Sequence, residues 1–189
     1  MGDQGYDFTK LSVLIVEDSV YMRKIVKMLL SGLGFRLVYE AEDGASALNL
    51  INTNPIDIVF LDWEMPILNG IEFVQTVRNA PDSMNPFVPI VMLSAHSEVK
   101  RIVQARDAGV NEFVVKPLSA QTLYTRLVSV IERPRPFVRT KSFFGPDRRR
   151  KMPESFFGTE RRSDMLEQLK ALGSMAMGQD EIDGVMAKG

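Results

Sequence analysis

Short apolar runs recur along the first two thirds of the chain, at Leu11 to Val16, Leu37 to Ala41, Ile56 to Leu61, Val88 to Leu93 and Phe113 to Val115. These read as five strands. The third, fourth and fifth largely lack the alternation of a half-exposed strand, which points to burial on both faces and hence to a parallel sheet between helical layers. Helical periodicity fills the intervals. Met22, Ile25, Val26 and Leu29 keep the spacing of one helical face, and Leu123, Leu127, Val130 and Ile131 approximate it. Val99, Ile102 and Val103 make a shorter stripe, and Asn69-Gly70 precedes a helix through Ile71, Phe73, Val74 and Val77. Gly32, Gly34 and Gly109 fall where helices should stop. The pattern predicts an α/β unit of five strands alternating with five helices, ending near Glu132.

In an open sheet of this kind, ligands sit at the carboxyl ends of the strands, where the strand order reverses. The polar residues fall there. The first strand ends in Glu17-Asp18, the third in Asp62, the fourth in Ser94 and the fifth in Lys116-Pro117. Three converging carboxylates repel one another, and a hard divalent cation with oxygen ligands, Mg²⁺ above all, relieves that repulsion. With the ion bound, Asp62 is a candidate nucleophile toward a phosphoryl group, with Lys116 neutralising one phosphoryl oxygen and Ser94 hydrogen-bonded to another.

These residues, in this order and each at a strand end, resemble the receiver domains of two-component response regulators over about residues 9–132. The resemblance rests on Glu17-Asp18, Asp62 within Leu61-Asp62-Trp63-Glu64-Met65-Pro66, Asn69-Gly70, Ser94-Ala95 and Lys116-Pro117. It implies a doubly wound, flavodoxin-like fold. Asp62 would be the phosphoacceptor, Glu17 and Asp18 would hold Mg²⁺ directly or through water, and the Glu64 backbone carbonyl would add a ligand. Ser94 would be the switch hydroxyl and Phe113 the aromatic that turns inward behind it. Lys116 would contact the phosphoryl group, aimed by a cis bond to Pro117. The implied donor is a histidine kinase or histidine phosphotransfer protein, with the change passed on through the face of the fourth helix, fifth strand and fifth helix. Such a protein is a phosphoacceptor rather than a turnover enzyme. Phe113 stands where Tyr is common in the family, and Glu64 where many members carry a neutral residue.

Composition narrows the alternatives. The chain has no cysteine, which excludes disulfides, thiolate metal sites and cysteine nucleophiles. Its apolar runs are far short of the roughly 20 residues that span a bilayer, and no basic, apolar leader opens it, so a cytoplasmic protein without membrane insertion is expected. A phosphohydrolase would need a second Asp two positions after the nucleophile, where Glu64 stands, and a cap that no insertion supplies. A flavin or nucleotide carrier would need a Gly-rich turn after the first strand, where Glu-Asp-Ser repels phosphates. His96, the only histidine, is expected to be solvent-exposed at a helix start, and Trp63 to be a packing or loop-surface aromatic.

Charge marks a second region. Residues 1–132 carry 11 Lys and Arg against 16 Asp and Glu, while residues 133–189 carry 12 against 8. The basic excess lies in a Pro- and Arg-rich linker at 133–162, in which no regular structure is expected. Within it, FFGPDRR at 143–149 recurs as FFGTERR at 156–162. Each copy sets an aromatic pair (Phe143 and Phe144, then Phe156 and Phe157) before a glycine, an acid and two arginines (Arg148 and Arg149, then Arg161 and Arg162). Such an element suits docking, with the rings as anchor and the arginines forking to carboxylates or phosphates. The acidic receiver, another protein, a homodimer partner or a nucleic acid would each fit, the last making a basic tail that regulates transcription or RNA. A short helix is predicted over 163–174, striped by Met165, Leu166, Leu169 and Leu172, followed by a fraying terminus to Gly189.

Overall fold

A computed structural model describes residues 6–140, 142–148 and 178–187. Five parallel strands form one sheet in the order β2-β1-β3-β4-β5: β1 (Ser12–Val16), β2 (Leu37–Ala41), β3 (Ile58–Asp62), β4 (Ile90–Ser94) and β5 (Glu112–Val115). The order reverses between β1 and β3, the strands whose ends carry Glu17 and Asp62. β1, β3 and β4 are buried throughout, as runs without alternation require, and β2 at one edge is half-exposed.

Although these strands read as continuously apolar, their side chains alternate between two cores. Leu14, Val16, Val59, Leu61, Ile90 and Met92 face one. That core is completed by α2 (Gly44–Thr53), α3 (Gly70–Asn79) and α4 (Val99–Ala108). Val13, Ile15, Ile58, Phe60, Val91 and Leu93 face the other, beneath α1 (Val20–Gly32) and α5 (Ala120–Glu132). The helices begin where the sequence offers caps: the side chains of Ser19, Asp43 and Ser119 accept backbone N–H groups, and Asn69 forms a capping box with Glu72. Gly109 ends α4 at φ 107°, a conformation that suits glycine alone.

Two expectations about the tail are corrected. Within the stretch predicted to lack regular structure, β6 (Phe137–Arg139) and β7 (Phe144–Pro146) pair antiparallel. Their Phe137 and Phe144 rings close on Phe87, with centroids 5.1–5.6 Å apart. Three-residue strands are too short to show a period, so packing rather than pattern makes them. The terminus predicted to fray contains a helix, α6 (Gln179–Ala187), with Ile182 and Met186 fully buried in the receiver core. The helix predicted over 163–174 lies outside the described residues. Among the described residues, no helix is long and apolar enough to cross a membrane.

Candidate functional site

The sheet ladder aims the predicted residues at one rim. The Glu17 N–H donates to the Ala41 carbonyl, the Trp63 N–H to Leu93 and the Lys116 N–H to Ser94, so the strand ends stay in register as they leave the sheet. Lys116 and Pro117 are joined by a cis bond. The Lys116 Nζ donates to Asp62 Oδ1 at 2.8 Å and to Glu17 Oε2 at 2.9 Å. Asp18 completes the set, and carboxylate oxygens of Glu17, Asp18 and Asp62 lie within 4.8 Å of one another. Glu17 and Asp62 are buried, whereas Asp18 is exposed to solvent.

One ammonium faces three carboxylates. Burial pushes the Asp62 carboxyl above the usual Asp range, against the pull of Lys116, and burial does the same to Glu17, helped by the Asp62 charge. Burial also presses the Lys116 ammonium downward, but its bonds to Asp62 and Glu17 outweigh that and hold it above its ordinary value. The uncompensated negative charge and the all-oxygen donor set fit a hard divalent ion such as Mg²⁺. Glu17, Asp18 and Asp62 are the residues placed to hold it.

Ser94 is buried beside this cluster, and its Oγ accepts the His96 N–H at 3.0 Å, which leaves the hydroxyl hydrogen free to donate elsewhere. The Phe113 ring is wholly buried and lies edge-on to Trp63, the residue after Asp62, at 6.4 Å. Trp63 is a packing residue, and the Arg101 guanidinium sits over its ring. The Glu64 side chain pairs with Arg101 at 3.0 Å and His96 Nε2 at 3.1 Å. His96, expected to be solvent-exposed at a helix start, is half-buried ahead of α4 and paired with Glu64 and Glu98.

Three structural features near the site were not read from the sequence. The Arg23 Nη1 donates to the Glu17 carbonyl at 2.6 Å while its Nε pairs with Glu40. A Cβ on Gly70 would stand 2.5 Å from the Asp62 carbonyl, so only glycine lets α3 start against the phosphoacceptor strand; the Asn-Gly pair was the available signal. Ile67, almost fully exposed on the loop after β3, holds φ at 69°, a backbone strain that no sequence pattern announces.

Of the tail residues singled out, Phe143, Phe144 and Arg148 are described. Phe144 is buried in the aromatic cluster, and Arg148 stacks on Phe143 while pairing with Asp107 of α4 at 2.8 Å. This arginine of the nucleic-acid reading is thus engaged within the chain. Arg149, Phe156, Phe157, Arg161 and Arg162 lie outside the described residues.

A family model, response regulator receiver domain, matches residues 13–128. The chemotaxis protein CheY-3 of Vibrio cholerae serotype O1 is 39% identical over 123 residues, covering 65% of this chain and 93% of that protein. The chemotaxis protein CheY of Pseudomonas aeruginosa is 38% identical over 123 residues, with 65% and 98% covered. The solved structure of Vibrio cholerae CheY4 superposes with a TM-score of 0.58 at 32% identity, covering 64% of this chain and 98% of that one.

Proposed function

The chain belongs to the response regulator receiver family, and from that premise we propose that Asp62 accepts a phosphoryl group from a phosphohistidine of a histidine kinase or phosphotransfer protein. The observation that carries this reading is the Lys116 ammonium held between Asp62 and Glu17, with Asp18 alongside, at the carboxyl ends of parallel strands.

In the transfer, an Asp62 carboxylate oxygen attacks phosphorus. The new O–P bond forms as the P–N bond breaks, and the donor imidazole leaves with that electron pair and takes up a proton. Lys116 opposes the effect of burial on the Asp62 carboxyl and is within reach of the charge that arrives on the phosphoryl oxygens. The Ser94 hydroxyl is placed to donate to one of them. Glu17, Asp18 and Asp62, with the Glu64 backbone carbonyl, would hold Mg²⁺, which supplies charge neutralisation and alignment of the phosphoryl oxygens. Water returns the acyl phosphate to Asp62, so the protein is a switched acceptor rather than a turnover enzyme, and its output is altered partner binding or assembly.

Intact mass spectrometry of the full chain and of Asp62→Asn, each incubated with acetyl phosphate in Mg²⁺ and again in EDTA, tests this. One phosphoryl group is expected on the wild type, in Mg²⁺ only. A wild type that gains nothing, from acetyl phosphate or from a phosphohistidine donor, overturns the reading, as does equal gain in the variant.

A further inference from the structure

β5 is an edge strand of the sheet, so the outward backbone groups of Phe113 and Val115 face no neighbouring strand. Gln179, the first residue of α6, takes that place. Its Nε2 donates to the Phe113 carbonyl and its Oε1 accepts the Val115 N–H, both at 3.0 Å. One side-chain amide thus satisfies an acceptor and a donor as a sixth strand would. Behind it, Ile182 and Met186 lie four residues apart on one face of α6 and share a core with Ile102, Ala105 and Phe113. Toward α5, Asp183 pairs with Arg126. At the far end, Arg135 Nη1 donates to the Met186 carbonyl at 3.3 Å, answering a carbonyl that the helix leaves free. Apolar burial, a polar clasp and an ion pair therefore hold this helix.

The clasped residues adjoin the phosphoacceptor site. Val115 immediately precedes Lys116, and the Phe113 ring contacts Trp63, next to Asp62. A phosphoryl group on Asp62 enters where Lys116 Nζ now meets Asp62 Oδ1. The ammonium must then shift onto a phosphoryl oxygen, and it belongs to the residue directly after the strand end that Gln179 grips. Resting on the phosphoacceptor reading, we propose that α6 is an intramolecular plug of the α4–β5–α5 face, docked while Asp62 is unmodified and released when Asp62 carries a phosphoryl group. The freed face and the freed helix are together the output. Because coupling between two binding equilibria is reciprocal, undocking α6 tightens the binding of a phosphoryl mimic by the same factor.

The test titrates the full chain in Mg²⁺ with beryllofluoride, a non-covalent phosphoryl mimic. The fluorescence of Trp63, the only tryptophan, reports the site, and hydrogen exchange of residues 179–187 reports the plug. Ile182→Asp puts a charge into the apolar stripe. Gln179→Ala removes only the clasp and guards against a general loss of packing. Beryllofluoride is expected to speed exchange across 179–187 in the wild type, and to bind either variant about fivefold or more tightly. Unchanged exchange at 179–187, or unchanged affinity in both variants, overturns the plug while the acceptor reading stands. A wild type that binds no beryllofluoride and gains no mass from acetyl phosphate overturns the acceptor reading, and the plug falls with it.

Discussion

At the carboxyl ends of the strands Lys116 faces buried carboxylates, whereas at the opposite ends Arg78 is buried with no carboxylate partner among the described residues. The Arg78 Nε donates to the Gly109 carbonyl, Nη1 to Pro86 and Val88, and Nη2 to Asn111 Oδ1, at 2.8–3.1 Å. The Phe137 ring of the hairpin covers its carbon, 5.0 Å from the centroid. Neutral oxygens match its donors but not its charge, so burial pushes the guanidinium down, to about 9. Lys116 is held the other way, because burial is outweighed by an excess of negative charge. One rim is satisfied and serves to pin β4, β5 and the hairpin together. The other is left unbalanced, which favours whatever brings positive charge to it or alters Asp62.

The largest effect expected is at the satisfied rim. Arg78→Met takes away the guanidinium shared by the Gly109, Pro86 and Val88 carbonyls and one of the two donors to Asn111 Oδ1, and urea denaturation should show a loss of about 3 kcal/mol or more. A midpoint close to wild type would mean that the two rims differ less than their bonding suggests. Gly145→Ala comes next: its Cβ would meet Gly109 Cα and Phe143 Cζ, each at 2.9 Å, and the same measurement should lose about 1–3 kcal/mol as β7 is pushed off α4.

At the unbalanced rim the sign reverses. Asp62 binds its proton more tightly folded than unfolded, so its ionisation lowers stability as pH rises above its ordinary value of 3.8. Asp62→Asn should therefore raise the unfolding temperature at pH 7 in Mg²⁺-free buffer, by about 2–4 °C if the gain is roughly 1 kcal/mol. The gain should vanish below the Asp range, and a lowered midpoint at pH 7 would contradict the charge imbalance. Smallest of all, Arg148→Ala removes an ion pair to Asp107 between two half-exposed side chains. About 0.5 kcal/mol or less is expected, and a loss above about 2 kcal/mol would show the hairpin to be held by charge rather than by its rings.

The receiver's strands and its acidic rim were legible because each is written in adjacent residues. Glu17, Asp62, Ser94 and Lys116 each follow an apolar run directly, and the run's end is the strand's end to within a residue or so. Arg126 was not singled out in the sequence, yet it is buried between Glu112 and Asp183. Nor was the pairing of Glu64 with His96 and Arg101, which follow β4 in the chain.

The amino-acid order by itself determined the α/β class, the alternation of strands and helices in the receiver and the four strand ends that carry the chemistry, because alternation, periodicity and capping act over a few neighbouring residues. Only the tertiary structure decided which cations are buried, that the hairpin rests on Phe87 and Arg78, and that Gln179 closes the edge of β5. Gln179 meets Phe113 and Val115 across 66 and 64 residues of chain. A contact at that separation leaves no period in the sequence and exists only once the sheet has formed the edge that it covers.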